Sequence, residues 1–203
     1  MAGSSTADAH EGGPAFYFDL GSPEAYLAAE RVLTVMPVAV EWVPVLARDL
    51  PAPETWEAFR CCDEREIALS EVERAATRRG LQPIRWPGEF PFDSAFAMRV
   101  ATYARQIGRA VPFALAAFRQ AFAGGRALDA DTVLIAAAAC EMHPAAVLKA
   151  VELRSVREEL ERRTAEAVAA GVRDVPAIRV GAQVFHGDAG LPGAARAAAA
   201  AAA

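Results

Sequence analysis

Cysteine is scarce in this sequence, and its three copies are badly placed for shared chemistry. Cys61, Cys62 and Cys140 form no Cys-x-x-Cys pair and no zinc-binding spacing. The adjacent Cys61 and Cys62 could pair with each other only under strain, so three buried free thiols are expected. Lysine is nearly absent: Lys149 is the single copy, and the other basic side chains are arginines. Long apolar runs are missing too. No window reaches the roughly 20 residues of a membrane span, and the opening "MAGSSTADAHEGG" lacks the apolar centre of a secretory signal. A cytoplasmic protein without a membrane partner is therefore expected. There is no excess of positive charge; a formal net charge of −5 gives no general attraction to nucleic-acid phosphates, so no nucleic-acid partner is expected. Gly-x-Ser-x-Gly, a Walker loop, a dinucleotide fingerprint and His-Glu-x-x-His are all absent, which removes support for those enzyme classes. His143 lies three residues after Cys140, but one such pair cannot complete a metal site. It reads as a helix-ending histidine before Pro144, and no metal is expected.

What remains is ordinary material for one α/β domain. A 54% apolar fraction supports a full core. Residues 1–14 read as a polar tail. "AFYFDL" (Ala15–Leu20) is an apolar, aromatic run closed by Gly21, as in a buried strand. A helix start follows, with Ser22 as cap, Pro23 at the first helical position and Glu24 in the first turn. Tyr26, Ala29, Leu33 and Met36 recur at helical spacing until Pro37. "VAVEWVPVL" (Val38–Leu46) alternates as a second strand does. From about 51 to 171 the pattern is helical, broken by the aromatic loop "RWPGEFPFD". After Gly171, "VPAIRVGAQVFHG" reads as a hairpin around a Gly-Ala turn. The Ala-rich residues 192–203 are placed outside the domain as a tail, with a frayed helix left open.

The segments "FYFDLGSPEAYLAAERV" and "GVRDVPAIRVGAQVFHGD", with the helical stretch from "FAMRVATYARQIGR" to "SVREEL", resemble the 2-hydroxychromene-2-carboxylate isomerase family, relatives of kappa-class glutathione transferases and DsbA oxidoreductases. The resemblance spans roughly residues 16–191. It implies a DsbA-like architecture: a thioredoxin-like α/β fold, over 15–191, with a large all-helical insertion at about 51–171. The place where thioredoxin relatives carry Cys-x-x-Cys reads "SPEA" here, Ser22 to Ala25, so no dithiol can cycle at that site.

In such isomerases a serine at this place hydrogen-bonds the thiolate of glutathione. The resemblance thus implies Ser22 as the catalytic residue, glutathione or another low-molecular-weight thiol as cofactor, and a small-molecule substrate of the kind met in aromatic degradation. Val175, through its backbone, and a cis Pro176 would hold the thiol, with Asp93 and Asp188 as further contacts. Trp86 and Phe90 of the aromatic loop, and His186 at the end of the hairpin, are candidate substrate contacts, while core packing is an equal reading for the aromatics. A homodimer is also carried over. Ser22 stays open between a plain helix cap and a catalytic group, since the two roles are compatible. Two other readings remain: a non-catalytic thioredoxin-like binding protein, and a thiol transferase.

The sequence departs from the family pattern at several positions. Glu24 replaces an aromatic residue after "SP". Asp93 stands for an asparagine, Arg173 and Asp174 replace a Phe-Gly pair, and Ala189 and Gly190 replace an acidic–basic pair. Three added carboxylates near the thiol site are expected to weaken an anionic ligand. A like charge at about 6 Å costs on the order of 2–3 kcal/mol at an effective dielectric near 20, and half of that is roughly tenfold in affinity.

Overall fold

The computed structural model describes residues 13–52 and 62–202. The expectations for Cys61, for the Cys62 side chain and for the first twelve residues of the N-terminal tail lie outside the described residues. Strand β1 (Ala15–Phe18) leads into helix α1 (Pro23–Val35) and then strand β2 (Glu41–Pro44). Among the described residues six α-helices follow: α2 (Cys62–Arg78), α3 (Ala95–Gln106), α4 (Ala110–Phe118), α5 (Ala130–Ala138), α6 (Pro144–Glu152) and α7 (Arg154–Ala169). Strands β3 (Ala177–Val180) and β4 (Gln183–His186) and helix α8 (Leu191–Ala201) close the chain. The sheet order is β2-β1-β3-β4, with β1 parallel to β2 and the other neighbours antiparallel. This is one α/β sheet whose two halves are separated by a helical insertion, the arrangement the family resemblance implies.

Alternation along β1 sorts its side chains to two cores. Phe16 and Phe18 face a large core shared with α1, α8 and the inserted helices, whereas Ala15 and Tyr17 face a smaller one with Ala167 of α7, Val43 and Ala177. Aromatic rings join the sheet layer to the insertion. Phe18 lies 6.0 Å from Phe118, and Tyr26 of α1 lies 5.7 Å from Phe122. Full burial of such a side chain is worth about 1.5–3 kcal/mol, so these contacts tie the insertion to the sheet layer. Outside the core, Arg119 grips Glu30 of α1 with two bonds of 2.6 and 2.7 Å.

Two expectations need correction. The segment placed outside the domain as a tail is helix α8, with Leu191, Ala194 and Ala198 buried in the large core. Alanine has the highest helix propensity, and a buried stripe every three or four residues anchors the helix to β3 and β4. His143 does not end a helix. It caps the start of α6, its Nδ1 accepting the Ala145 N–H at 3.2 Å. The strands are also shorter than the apolar runs that signalled them, because Asp19 and Leu20 already belong to the turn into α1. Cys140 is buried, and that burial pushes its thiol pKa up. Among the described residues no helix is long and apolar enough to cross a membrane, and no cluster of metal-binding side chains occurs.

Candidate functional site

The antiparallel register sets Ala15 against Arg179 and Tyr17 against Ala177. Continuing it carries the end of β1, and the turn that leads to Ser22, towards Pro176 and Val175. His186 pairs with Ala177 across the hairpin, and the Gly187 N–H donates to the Pro176 carbonyl at 2.8 Å. The sheet therefore gathers residues 19–24, 174–176 and 186–189 at one end, although they are far apart in sequence.

Ser22 caps α1. Its backbone is extended, and its Oγ accepts the Ala25 N–H at 3.1 Å. It is buried, with 8% of its surface exposed. The turn before it is held by Asp19, which the sequence reading missed. Asp19 Oδ1 accepts the Gly21 N–H at 2.8 Å and Oδ2 the Ala47 N–H at 2.9 Å, and Ser94 adds a side-chain bond. Burial raises the Asp19 pKa despite these bonds. The only local hint was an aspartate two residues before a glycine, a pattern that short turns use.

Val175 is buried and its peptide bond to Pro176 is cis, which agrees with the expectation for this pair. The Val175 N–H donates to Asp174 Oδ1 at 2.7 Å. His186 supports the same loop, its Nε2 accepting the Arg173 N–H at 3.0 Å. Arg173 and His186 are themselves exposed.

The expected carboxylates divide into three situations. Asp93 is exposed and turns back on its own helix: Oδ1 accepts the Ala95 N–H at 2.9 Å and lies 3.6 Å from Arg48. Asp188 is buried between two arginines. Arg31 Nη1 lies 2.8 Å from its Oδ1, and Arg79 Nη2 bonds its Oδ2. Glu24 is half-buried, and burial raises its pKa; nearby Asp174 adds to the rise and Arg79 opposes it. Neither Arg31 nor Arg79 carried a sequence signal, since each is one arginine among the many in the chain and nothing local marks its partner.

Glu24 also lines a groove of about 570 Å³ between α1, α2 and the turn at Gly187–Ala189. Leu27, Val72 and Ala75 form its apolar wall, and Arg74, Arg78 and Arg79 bring positive charge. Its size falls within the usual range for small-molecule sites. Trp86 and Phe90 pack elsewhere. Their rings lie 4.9 Å apart and both meet Phe122, while Trp86 Nε1 donates to Glu73 at 2.7 Å. Gly190 follows from packing: a side chain there would meet the backbone carbon and Cβ of Phe185 at 3.2 Å, while Ala189 is exposed.

Comparisons with known proteins agree with this architecture. The sequence pattern of the DsbA-like thioredoxin domain matches residues 15–199. No curated protein matches the sequence. Among solved structures, a 2-hydroxychromene-2-carboxylate isomerase superposes with a TM-score of 0.80 at 17% identity, over 93% of this chain and 95% of its own. A probable DsbA oxidoreductase from Streptomyces coelicolor gives 0.72 at 16% identity, over 92% and 89%. A cytosolic disulfide reductase, DsbM from Pseudomonas aeruginosa, solved with GSH, gives 0.64 at 14% identity, over 93% and 96%. At these identities the likeness is one of fold.

Proposed function

The chain belongs to the family of DsbA-like thioredoxin domains, and from that premise we propose that it is a glutathione-dependent isomerase of the 2-hydroxychromene-2-carboxylate isomerase kind. The observation that carries the reading is Ser22 at the N-cap of α1, in a segment, Ser22–Ala25, that holds no cysteine. A hydroxyl offers one donor and two acceptor sites. Accepting from the Ala25 N–H still leaves the Ser22 proton to give to a sulfur. The helix N-terminus adds unpaired amides and partial positive charge, which favour an anion there and lower a thiol pKa.

The residues present fit a thiol of this type at two of its ends. Ser22 suits the sulfur. Arg79 Nη1, buried and without a partner among the described residues, suits a carboxylate in the groove. Asp188 is less suited to an ammonium group because Arg31 and Arg79 already neutralise it. When bound, such a thiol supplies a nucleophile that adds to a small unsaturated aromatic acid and is returned at the end. The protein's part is to hold the sulfur with Ser22, to border it with the Val175–Pro176 backbone, and to admit the substrate through the groove. In this reading the thiol comes from the cytoplasmic pool, and two copies of the chain act as a homodimer.

A second reading, a thioredoxin-like protein that binds without catalysis, is favoured by one observation: Asp174 occupies the Val175 N–H. A thiol transferase would share the site and differ in releasing a conjugate. Calorimetric titration with glutathione, beside the Ser22→Ala variant, tests the main reading. Binding that weakens in the variant by roughly 10- to 100-fold is expected, the worth of a hydrogen bond to a charged group. Absence of binding up to millimolar glutathione would overturn it in favour of the second reading.

A further inference from the structure

Glu24 is the carboxylate that the proposed function leaves unused, and its surroundings give it a task. It follows Ser22 by two residues in the first turn of α1 and also lines the groove. A Cβ on Gly187 would stand 3.5 Å from its Oε2, an ordinary contact distance, so the turn after β4 lies against the carboxylate. The charged groups around it come from every neighbouring element. Asp174 approaches from the loop before β3, and Arg79 from the end of α2. Asp188, itself bound to Arg31 and Arg79, sits in the turn after β4. Glu71, Arg74 and Arg78 of α2 line the same groove, and His186 ends the strand leading into it. Glu24 thus holds its carboxyl group in a half-buried place, beside another carboxylate, with Arg79 divided between it and Asp188.

We propose that Glu24 is the group that takes the thiol proton when a ligand's sulfur settles at Ser22. The inference rests on the thiol-site reading above. The S–H bond breaks, its electron pair stays on sulfur, and the proton moves to a carboxylate oxygen of Glu24; nothing is oxidised or reduced. Two features favour that transfer. Burial and Asp174 already make the protonated form of Glu24 easier to reach. A thiolate beside the α1 N-terminus would place a further negative charge near Glu24 and Asp174, and protonating Glu24 removes one of the three. The thiolate and the neutral acid are therefore stabilised together. This assigns a purpose to the glutamate that stands where the resembling family has an aromatic residue.

Proton counting tests this without relying on turnover. Glutathione binding is measured by calorimetry near pH 7 in buffers of different ionisation enthalpy, for the wild type and Glu24→Gln, with thiolate absorbance followed in parallel. The wild type is expected to bind thiolate while releasing almost no proton to the buffer, with affinity nearly flat between pH 7 and 8. The variant is expected to release about one proton, its affinity rising about tenfold per pH unit. S-methylglutathione, which has no thiol proton, should release none in either protein. Equal proton release by wild type and Glu24→Gln, or sulfur bound as the neutral thiol, would overturn the assignment while leaving the thiol site intact. Failure of the wild type to bind either ligand would overturn the thiol-site reading and this inference with it.

Discussion

Replacing Asp188 by asparagine tests the tightest charge cluster near the site. The Asp188 side chain is 4% exposed, while Arg31 and Arg79 keep 23% and 22%. Asparagine preserves the shape and removes the charge, which leaves two guanidinium groups facing each other without their counter-ion. Breaking a buried pair from one side costs about 3–5 kcal/mol. Because each arginine retains about a fifth of its exposure, water recovers part of that, and roughly 2–4 kcal/mol is expected. For a chain of this size each kcal/mol moves Tm by about 2–4 °C, so a fall of roughly 6–12 °C should accompany a loss near 3 kcal/mol. Urea unfolding by circular dichroism gives the stability directly, and an unchanged slope would show that the unfolded state is not the cause. Arg79→Met should cost less in the Asp188→Asn background than alone, with a coupling of about 1–3 kcal/mol. A loss below about 1 kcal/mol together with no coupling would refute the buried hub, and would release Asp188 to serve a ligand's ammonium group.

Other perturbations read other parts of the fold. Burial, followed by nearby Glu30, pushes the Tyr26 phenol up to about 12. Its contribution to stability is intact below the ordinary tyrosine pKa of about 10 and is lost as pH rises through about 12, at most about 2.7 kcal/mol in all. Alkaline unfolding followed by circular dichroism should therefore be less steep between those limits in Tyr26→Phe. Phe122 is fully buried and meets the rings of Tyr26, Trp86, Phe90 and Phe118. Phe122→Ala should cost about 3–5 kcal/mol in urea unfolding; a loss below about 1.5 kcal/mol would mean the cluster collapses into the space. His143→Ala should cost about 0.5–1 kcal/mol through the lost cap of α6, and His143→Asn should restore most of it in the same assay.

Much of the architecture was legible in the order of residues because its signals are local. Ser22, Pro23 and Glu24 announce a helix start through capping and a fixed φ, interactions made within a few residues. The hairpin is read in the same way. Val180 pairs with Gln183 across a two-residue turn whose Gly181 has a φ of +57°, a conformation glycine adopts freely. The missing cysteines in Ser22–Ala25 needed no structure to exclude a dithiol. The polyalanine end was misjudged because its repetitive composition hides the buried stripe that α8 presents to the sheet.

Ligand contacts are a different matter, since they depend on side chains that meet only after packing. The sequence listed three added carboxylates as equals, but the fold separates them. Asp93 accepts the Ala95 N–H at the start of α3, Asp174 bonds the Val175 N–H, and Glu24 lines the groove. Arg79 meets Asp188 across 109 positions of chain, and no local pattern foretells which of many arginines will arrive there. The sequence by itself determined the elements and the absence of a dithiol, because those follow from short-range backbone and capping chemistry. The tertiary structure alone decided which charges face one another, because burial and electrostatic partnership are properties of the packed chain.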